Sequence, residues 1–97
     1  MSLPVEIEPR AEEEARAAFL WYFERSAHAA IAFEQEFGTA IERIGETPTT
    51  YPFVDEELRR YLLDRFPYAL LYVVRSDRVW VVAVAHQHQR PGYWRER

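Results

Sequence analysis

The side chains best suited to chemistry lie in the run His86-Gln87-His88-Gln89-Arg90-Pro91-Gly92-Tyr93-Trp94. Imidazoles exchange protons near neutral pH, and guanidinium groups bind anions. His86 and His88 would share one face of an extended strand, which is a metal-ligand spacing. No cysteine or clear third ligand accompanies them, so we expect no metal and no other cofactor. A histidine at a strand end is more often a packing residue than a base, and Tyr93 and Trp94 are most simply rings that fold back on the core.

The cationic residues are unevenly placed. Residues 1–50 carry ten carboxylates and four arginines, whereas residues 51–97 carry six carboxylates and eight arginines, within a formal charge of −4. This net charge argues against a protein that holds nucleic acid with its whole surface. No residue is lysine, a bias that favours planar bidentate contacts but that a GC-rich genome also produces. Candidates for binding a partner or target are Arg59, Arg60, Arg75, Arg78, Arg90 and Trp94, although the arginines also suit a solvated face.

Length and composition indicate one domain over residues 1–97, with a core that depends on its 15% aromatic residues. The absence of cysteine excludes disulfides and suits a reducing interior. No apolar run is long enough to span a membrane and no signal peptide is recognisable, so we expect a cytoplasmic protein that does not contact membranes. The sequence leaves open whether Met1-Ser2-Leu3 is native or an added leader.

Hydrophobic periodicity predicts the elements that must position these side chains. Val5 and Ile7 alternate with glutamates as a short strand that Pro9 ends. A helical period then runs from Arg10 to about Arg25, and a second runs from a Ser26 cap to Ile44. The short connection predicts an antiparallel hairpin. Gly45 is expected just after the second helix, and Gly38 within it suggests a close approach to another element.

A loop from Gly45 to Glu57, which we expect to fold over a sheet edge, precedes three predicted strands at Leu58–Leu63, Tyr68–Val74 and Val79–His86. Strict alternation places Trp80, Val82, Val84 and His86 on one face of the last strand and Val79, Val81, Ala83 and Ala85 on the other. Both faces of these strands are apolar. The helices can cover one face, and the other needs the tail, a second copy or a different chain.

A family resemblance rests on several motifs that occur in order. They are Leu62-Leu63-Asp64-Arg65-Phe66-Pro67-Tyr68, then Tyr72, then Val82-Ala83-Val84-Ala85-His86, then Arg90-Pro91. With the first strand, a helix carrying Trp21-Tyr22 and a second helix ending in Ala40-Ile41-Glu42-Arg43-Ile44, the chain resembles toxins of the RelE/ParE superfamily of bacterial type II toxin–antitoxin systems. The resemblance implies an α+β fold in which an N-terminal strand and an antiparallel two-helix hairpin join a three-stranded antiparallel meander in one twisted sheet.

The resemblance also implies an antitoxin partner whose C-terminal segment wraps the toxin, and it leaves open a homodimer or a toxin–antitoxin hetero-oligomer. The superfamily divides between gyrase inhibitors of the ParE-like kind and ribosome-dependent mRNA endonucleases of the RelE-like kind. Arg65 stands where the endonucleases carry a catalytic arginine, and Tyr93 or Trp94 lies near their late aromatic residue. For an endonuclease the catalytic candidates are Arg65, His86, His88 and Tyr93.

Two departures favour the ParE-like branch. The endonucleases usually bring several lysines and arginines to RNA, and this chain has no lysine and is acidic. They also tend to continue into a further C-terminal helix. We therefore expect a non-enzymatic toxin that inhibits DNA gyrase. A metal-independent mRNA endonuclease acting with the ribosome is the alternative, and a non-toxic binding homologue is a third.

Overall fold

The computed structural model describes residues 2–90 and 92–96. It contains β1 (Val5–Ile7), α1 (Pro9–Arg25), α2 (Ala27–Glu46), β2 (Leu58–Leu62), β3 (Tyr68–Val74), β4 (Val79–His86) and a 3-10 turn (Tyr93–Glu96). The predicted order of elements is confirmed. Two residues named in the sequence analysis lie outside the described residues. They are Met1, at the start of the N-terminal segment that could be a leader, and Pro91, in the family motif. Within those ranges, none of the helices is long and apolar enough to cross a membrane.

A single residue, Ser26, joins the two helices into a hairpin. Its backbone N–H donates to the carbonyl of Tyr22 at 2.7 Å, which ends α1. Its side-chain oxygen accepts from the backbone N–H of Ala29 at 3.2 Å, which caps α2 as predicted. Pro9 opens α1 at the position where its missing N–H is not needed. The short connection brings the apolar stripes of both helices onto one face of the sheet.

The two helical glycines have roles opposite to those predicted. Gly45 lies inside the last turn of α2 rather than after it, because the helix continues to Glu46. A Cβ atom at Gly45 would stand 3.0 Å from the carbonyl oxygen of Leu3, whose own N–H donates to the Gly45 carbonyl at 2.8 Å. A Cβ at Gly38 would meet nothing within 4 Å, so the close approach predicted there is wrong. The close approach is at Gly45, where the N-terminal segment crosses α2.

The four strands form one mixed sheet in the order β1-β4-β3-β2. β2, β3 and β4 are the predicted antiparallel meander, and β1 lies beside β4 in parallel orientation. Leu71 pairs with Ala83 and Tyr72 with Val81, so β4 carries one extra residue, Val82, at a β-bulge. The prediction that Val82 shares a face with Val84 is therefore wrong: Val84 packs on the helix side, whereas Val82 and Ala83 pack on the opposite side.

The core has two layers on either side of the sheet. The larger layer is the helix side, where Phe33, Ile44, Leu70, Tyr72 and Val81 are almost completely buried. The smaller layer lies on the second face of the sheet, and Tyr93 and Trp94 of the 3-10 turn pack against it. The tail therefore covers part of the face that the sequence left uncovered. The rest of that face is open as a groove.

The loop after α2 lies along the outer edge of β2, as expected. Phe53 forms a bridge with Arg59, and two backbone hydrogen bonds flank it, from the Arg60 N–H to the Pro52 carbonyl and from the Val54 N–H to the Leu58 carbonyl. The buried hydroxyl of Tyr72 donates to the carbonyl of Pro48 at 2.7 Å and anchors the start of the loop to β3. These contacts fix the position of the loop relative to the groove.

Candidate functional site

A groove of about 740 Å³ lies where β2 and β3 meet the end of β4. The turn after β2, the first residues of β3 and the last residues of β4 form its walls, and Trp94 of the 3-10 turn closes one side. Most of its lining is apolar, and the polar side chains are Arg60, Asp64, Arg65, His86 and Gln87. Such a groove suits a ligand that is mainly apolar and carries few charges.

Arg65 lies at the rim of the groove in the turn between β2 and β3. Its Nε lies 3.4 Å from Oε1 of Glu36 on α2, and its side chain is 66% exposed. The same Glu36 carboxylate accepts hydrogen bonds from the backbone N–H groups of Asp64 and Arg65. Because the ion pair is exposed, its main effect is to hold the turn in place rather than to add much stability.

His86 lies at the junction of core and groove. Its half-buried ring meets the ring of Tyr68 edge-on at a centroid distance of 5.0 Å. Its Nδ1 accepts from the backbone N–H of His88 at 3.0 Å, and among the described residues this contact leaves Nε2 unoccupied. Within the described part of the chain, no three His, Cys, Asp or Glu side chains come close enough to form a metal site.

The four endonuclease candidates are not brought together in the groove. Arg65 and His86 both line it, whereas His88 is exposed on the turn after β4 and does not. The hydroxyl of Tyr93 donates to Oε2 of Glu14 on α1 at 2.6 Å. The groove therefore combines two guanidinium groups, those of Arg60 and Arg65, and one imidazole with aromatic walls formed by Phe66, Tyr68 and Trp94.

The partner-binding candidates lie in three different settings. Arg59 donates to the Thr49 and Tyr51 carbonyls at 3.1 and 2.6 Å, and Arg75 and Arg78 pair with Glu57 and Glu6 at 3.1 and 3.0 Å. These three arginines hold parts of the fold together. Arg60 and Trp94 line the groove, and Trp94 also borders a second groove on the same face. Arg90 is exposed on the turn after β4.

Glu14 makes structural contacts beside the groove that the sequence analysis missed. β1 ends before it reaches Val84 on the outer edge of β4. At this point the Glu14 side chain takes the place of a strand partner, because its Oε1 accepts a hydrogen bond from the Val84 N–H at 2.9 Å. Oε2 accepts from Tyr93 at the same time, so one carboxylate joins α1, β4 and the 3-10 turn. One feature of the sequence could have indicated this role. Glu14 lies three residues after Ala11 and four before Ala18, which places it on the border of the apolar stripe of α1.

Replacing Glu14 with alanine should lower the free energy of unfolding by about 1–3 kcal/mol. The Val84 amide loses its acceptor, and the Tyr93 hydroxyl keeps only its longer contact with the Val84 carbonyl at 3.4 Å. Urea unfolding at pH 7 measures the loss. Glu13→Ala, one position away on the exposed side of α1, is the matched control and should change stability by less than about 0.5 kcal/mol. Equal losses in the two variants would show that the Glu14 contacts contribute nothing to stability.

Comparisons with known proteins agree with this architecture. A family model described as the ParE toxin of type II toxin–antitoxin system, parDE, matches residues 5–91. Among solved structures, the chain is similar to one described as the chromosomal ParDE TA system from P. aeruginosa, with a TM-score of 0.77. The sequence identity is 12%, and the match covers 88% of this chain and 96% of that chain, so the likeness concerns the fold. No curated protein sequence matches the chain.

Proposed function

The chain belongs to the ParE toxin family of type II toxin–antitoxin systems, and from this premise we propose that it inhibits DNA gyrase and is neutralised by a cognate antitoxin. The observation that carries the proposal is the family match over residues 5–91, which takes in every helix and strand of the fold. Of the four endonuclease candidates, Arg65 and His86 line the groove but His88 and Tyr93 do not, and this supports action by surface recognition rather than by catalysis.

The exposed apolar surface supports a role in binding other proteins. Leu20, Trp21 and Phe23 near the end of α1 are 50–54% exposed, and Ile31 on α2 is 51% exposed. Large apolar side chains concentrated at one end of a hairpin are typical of a protein interface. Gyrase and an antitoxin are both protein partners, so a toxin of this kind needs surfaces of this character.

The proposal is tested by induced expression of the chain alone, followed by a supercoiling assay with purified gyrase. We expect growth arrest and inhibition of supercoiling, and we expect both to be reversed by the protein encoded in the adjoining reading frame. Transcripts from induced cells serve as the control and should stay uncut. Normal growth would favour a non-toxic binding homologue, and undisturbed supercoiling would refute gyrase inhibition.

An mRNA endonuclease is the second candidate, because Arg65 and His86 line the same groove. A guanidinium can stabilise charge that develops on a phosphate, and a neutral imidazole can take the proton of a 2′-hydroxyl. Under this alternative, induction leads to ribosome-dependent cuts in mRNA, and Arg65→Ala and His86→Ala abolish toxicity without unfolding the protein. Retained toxicity in both variants would remove it.

A further inference from the structure

We propose that the free chain forms a two-fold dimer through the outer face of α1, in which Leu20 lies beside Leu20 of a second copy and Arg16 pairs with Glu24 of that copy. Neither gyrase nor an antitoxin takes part, so the dimer goes beyond the proposed function. Three observations lead to it: an apolar run too long for one face of the helix, exposure of the outer part of that run, and charges arranged so that the face complements itself.

The second half of α1 is apolar on every side. Residues 17–23 are seven consecutive hydrophobic residues, Ala-Ala-Phe-Leu-Trp-Tyr-Phe. Ala11 and Ala18 mark the buried side of the helix. Leu20 follows Ala11 by nine residues, which is about two and a half turns, so it points to the opposite side. A helix that is hydrophobic all round is normally buried all round, and this half of α1 therefore needs a cover on its outer side as well.

The outer side is uncovered in a single chain. Leu20, Trp21 and Phe23 are 50%, 50% and 54% exposed, and Ala17 is exposed beside them. Half exposure leaves roughly 75–125 Å² of each aromatic ring in contact with solvent. Such a face on both copies, together with its polar rim, buries roughly 1,000 Å² in total, which is the lower limit for a specific interface. We therefore expect a weak dimer with a Kd in the micromolar range.

Charged side chains flank the apolar ones on the same face. Arg16 lies four residues before Leu20 and Glu24 lies four after it, so both are on the Leu20 side of the helix. Within residues 2–90 and 92–96, Arg16 has no ion pair, and Glu24 has one exposed contact, with the neighbouring Arg25 at 3.6 Å. A two-fold axis beside Leu20 makes the two helices antiparallel. Arg16 of each copy then lies near Glu24 of the other, and Glu13 lies near Arg25.

This arrangement of charges favours a second copy over other occupants. In a two-fold contact the same patch is used on both sides, so the patch must complement itself. The antiparallel pairing places opposite charges together at both ends of the face. A parallel pairing would instead set Arg16 against Arg16 and Glu24 against Glu24. Another protein would not require the charges of α1 to be balanced about Leu20.

Sedimentation equilibrium of the full chain from about 1 to 200 µM tests the dimer. The apparent mass should rise from the 11.6 kDa of one chain toward twice this value. Leu20→Asp places two carboxylates at the axis and should raise the dimer Kd by about tenfold or more. Leu62→Asp is the matched control, because Leu62 is 61% exposed but lies on β2, and it should leave the Kd within about threefold. Circular dichroism confirms that the variants fold.

A charge exchange gives a readout that unfolding cannot imitate. Arg16→Glu and Glu24→Arg should each raise the dimer Kd by about tenfold, because each change occurs twice in the dimer and brings like charges together. The double variant restores both pairs in reversed order, so its Kd should return to within about threefold of the wild-type value. The chain has no cysteine, and Leu20→Cys should therefore form a disulfide across the axis under mild oxidation, whereas Leu62→Cys should not.

Three results would overturn the dimer. One is a chain that stays monomeric up to about 200 µM. Another is a dimer that Leu62→Asp breaks and Leu20→Asp leaves intact, or one that the double charge variant does not restore. The third is a monomeric free chain whose binding to the protein of the adjoining reading frame is lost in Leu20→Asp, which would assign the face to that protein. None of these results bears on gyrase inhibition, which the supercoiling assay tests separately.

Discussion

Replacing Phe33 with alanine is expected to lower the free energy of unfolding by about 3–5 kcal/mol, a large part of the stability of a small domain. The Phe33 ring is 2% exposed and contacts four other rings, with centroid distances of 5.6 Å to Tyr22, 6.2 Å to Phe37, 5.4 Å to Phe66 and 5.6 Å to Tyr68. Alanine at this position would leave a cavity between both helices and the sheet. The neighbouring rings belong to different elements, so they cannot close it together.

Urea unfolding at pH 7 measures the change, with Phe23→Ala as the matched control. Phe23 is also an α-helical phenylalanine, but it is 54% exposed, and among the described residues its ring stacks on Phe19 alone, at 6.0 Å. Its replacement should cost less than about 1 kcal/mol. If Phe33→Ala lost no more than Phe23→Ala, the aromatic cluster would not be the centre of the core.

Replacing Tyr72 with phenylalanine should have two effects that separate with pH. At neutral pH the loss is about 1–3 kcal/mol, because the carbonyl of Pro48 loses the hydroxyl that donates to it. At high pH the same hydroxyl lowers the stability of the folded protein. Burial raises the pKa of the Tyr72 phenol from 10.0 to about 12, so between these values the unfolded chain ionises at this residue and the folded chain does not. Wild-type stability therefore falls as pH rises through this window.

The fall attributable to Tyr72 should reach roughly 2–3 kcal/mol by pH 12, and it should be absent in the phenylalanine variant. Urea unfolding at pH 8, 10, 11 and 12 resolves the two effects. A smaller decline remains in the variant, because burial also raises the pKa of Tyr22 and Tyr68. Parallel pH profiles for the two proteins would mean that Tyr72 ionises as easily in the folded state as in the unfolded chain.

The elements of the fold follow from local patterns, and the sequence predicts them well. Both helices, the Ser26 cap and all four strands come from periodicity and from residues adjacent in the chain. Three features depend on distant partners and could not be read locally. Position 45 needs a glycine because the carbonyl of Leu3 lies against it. The bulge at Val82 depends on how β4 pairs with β3, and the parallel orientation of β1 depends on its pairing with β4.

The candidate site was predictable in part for the same reason. The Asp64–Pro67 turn and the end of β4 are neighbours in a meander, so Arg65 and His86 line one groove. The Tyr93 hydroxyl instead donates to Glu14 on α1. Arg59 is held by the nearby loop at Thr49 and Tyr51, whereas Arg75 and Arg78 pair with Glu57 and Glu6, which are further away in the chain. Functional roles in the toxin remain predictions for seven residues: Arg60, Arg65, His86, His88, Arg90, Tyr93 and Trp94.

The parallel pairing of β1 with β4 has a consequence for synthesis on the ribosome. Val5 pairs with Val79, which follows it by 74 positions, so translation at roughly 5–20 residues per second separates the two strands by roughly 4–15 s. During this interval the helical hairpin has no complete sheet on which to bury its aromatic stripe. The chain therefore acquires its native surface late in translation. An antitoxin that recognises this surface meets the toxin only after almost all of it has been made.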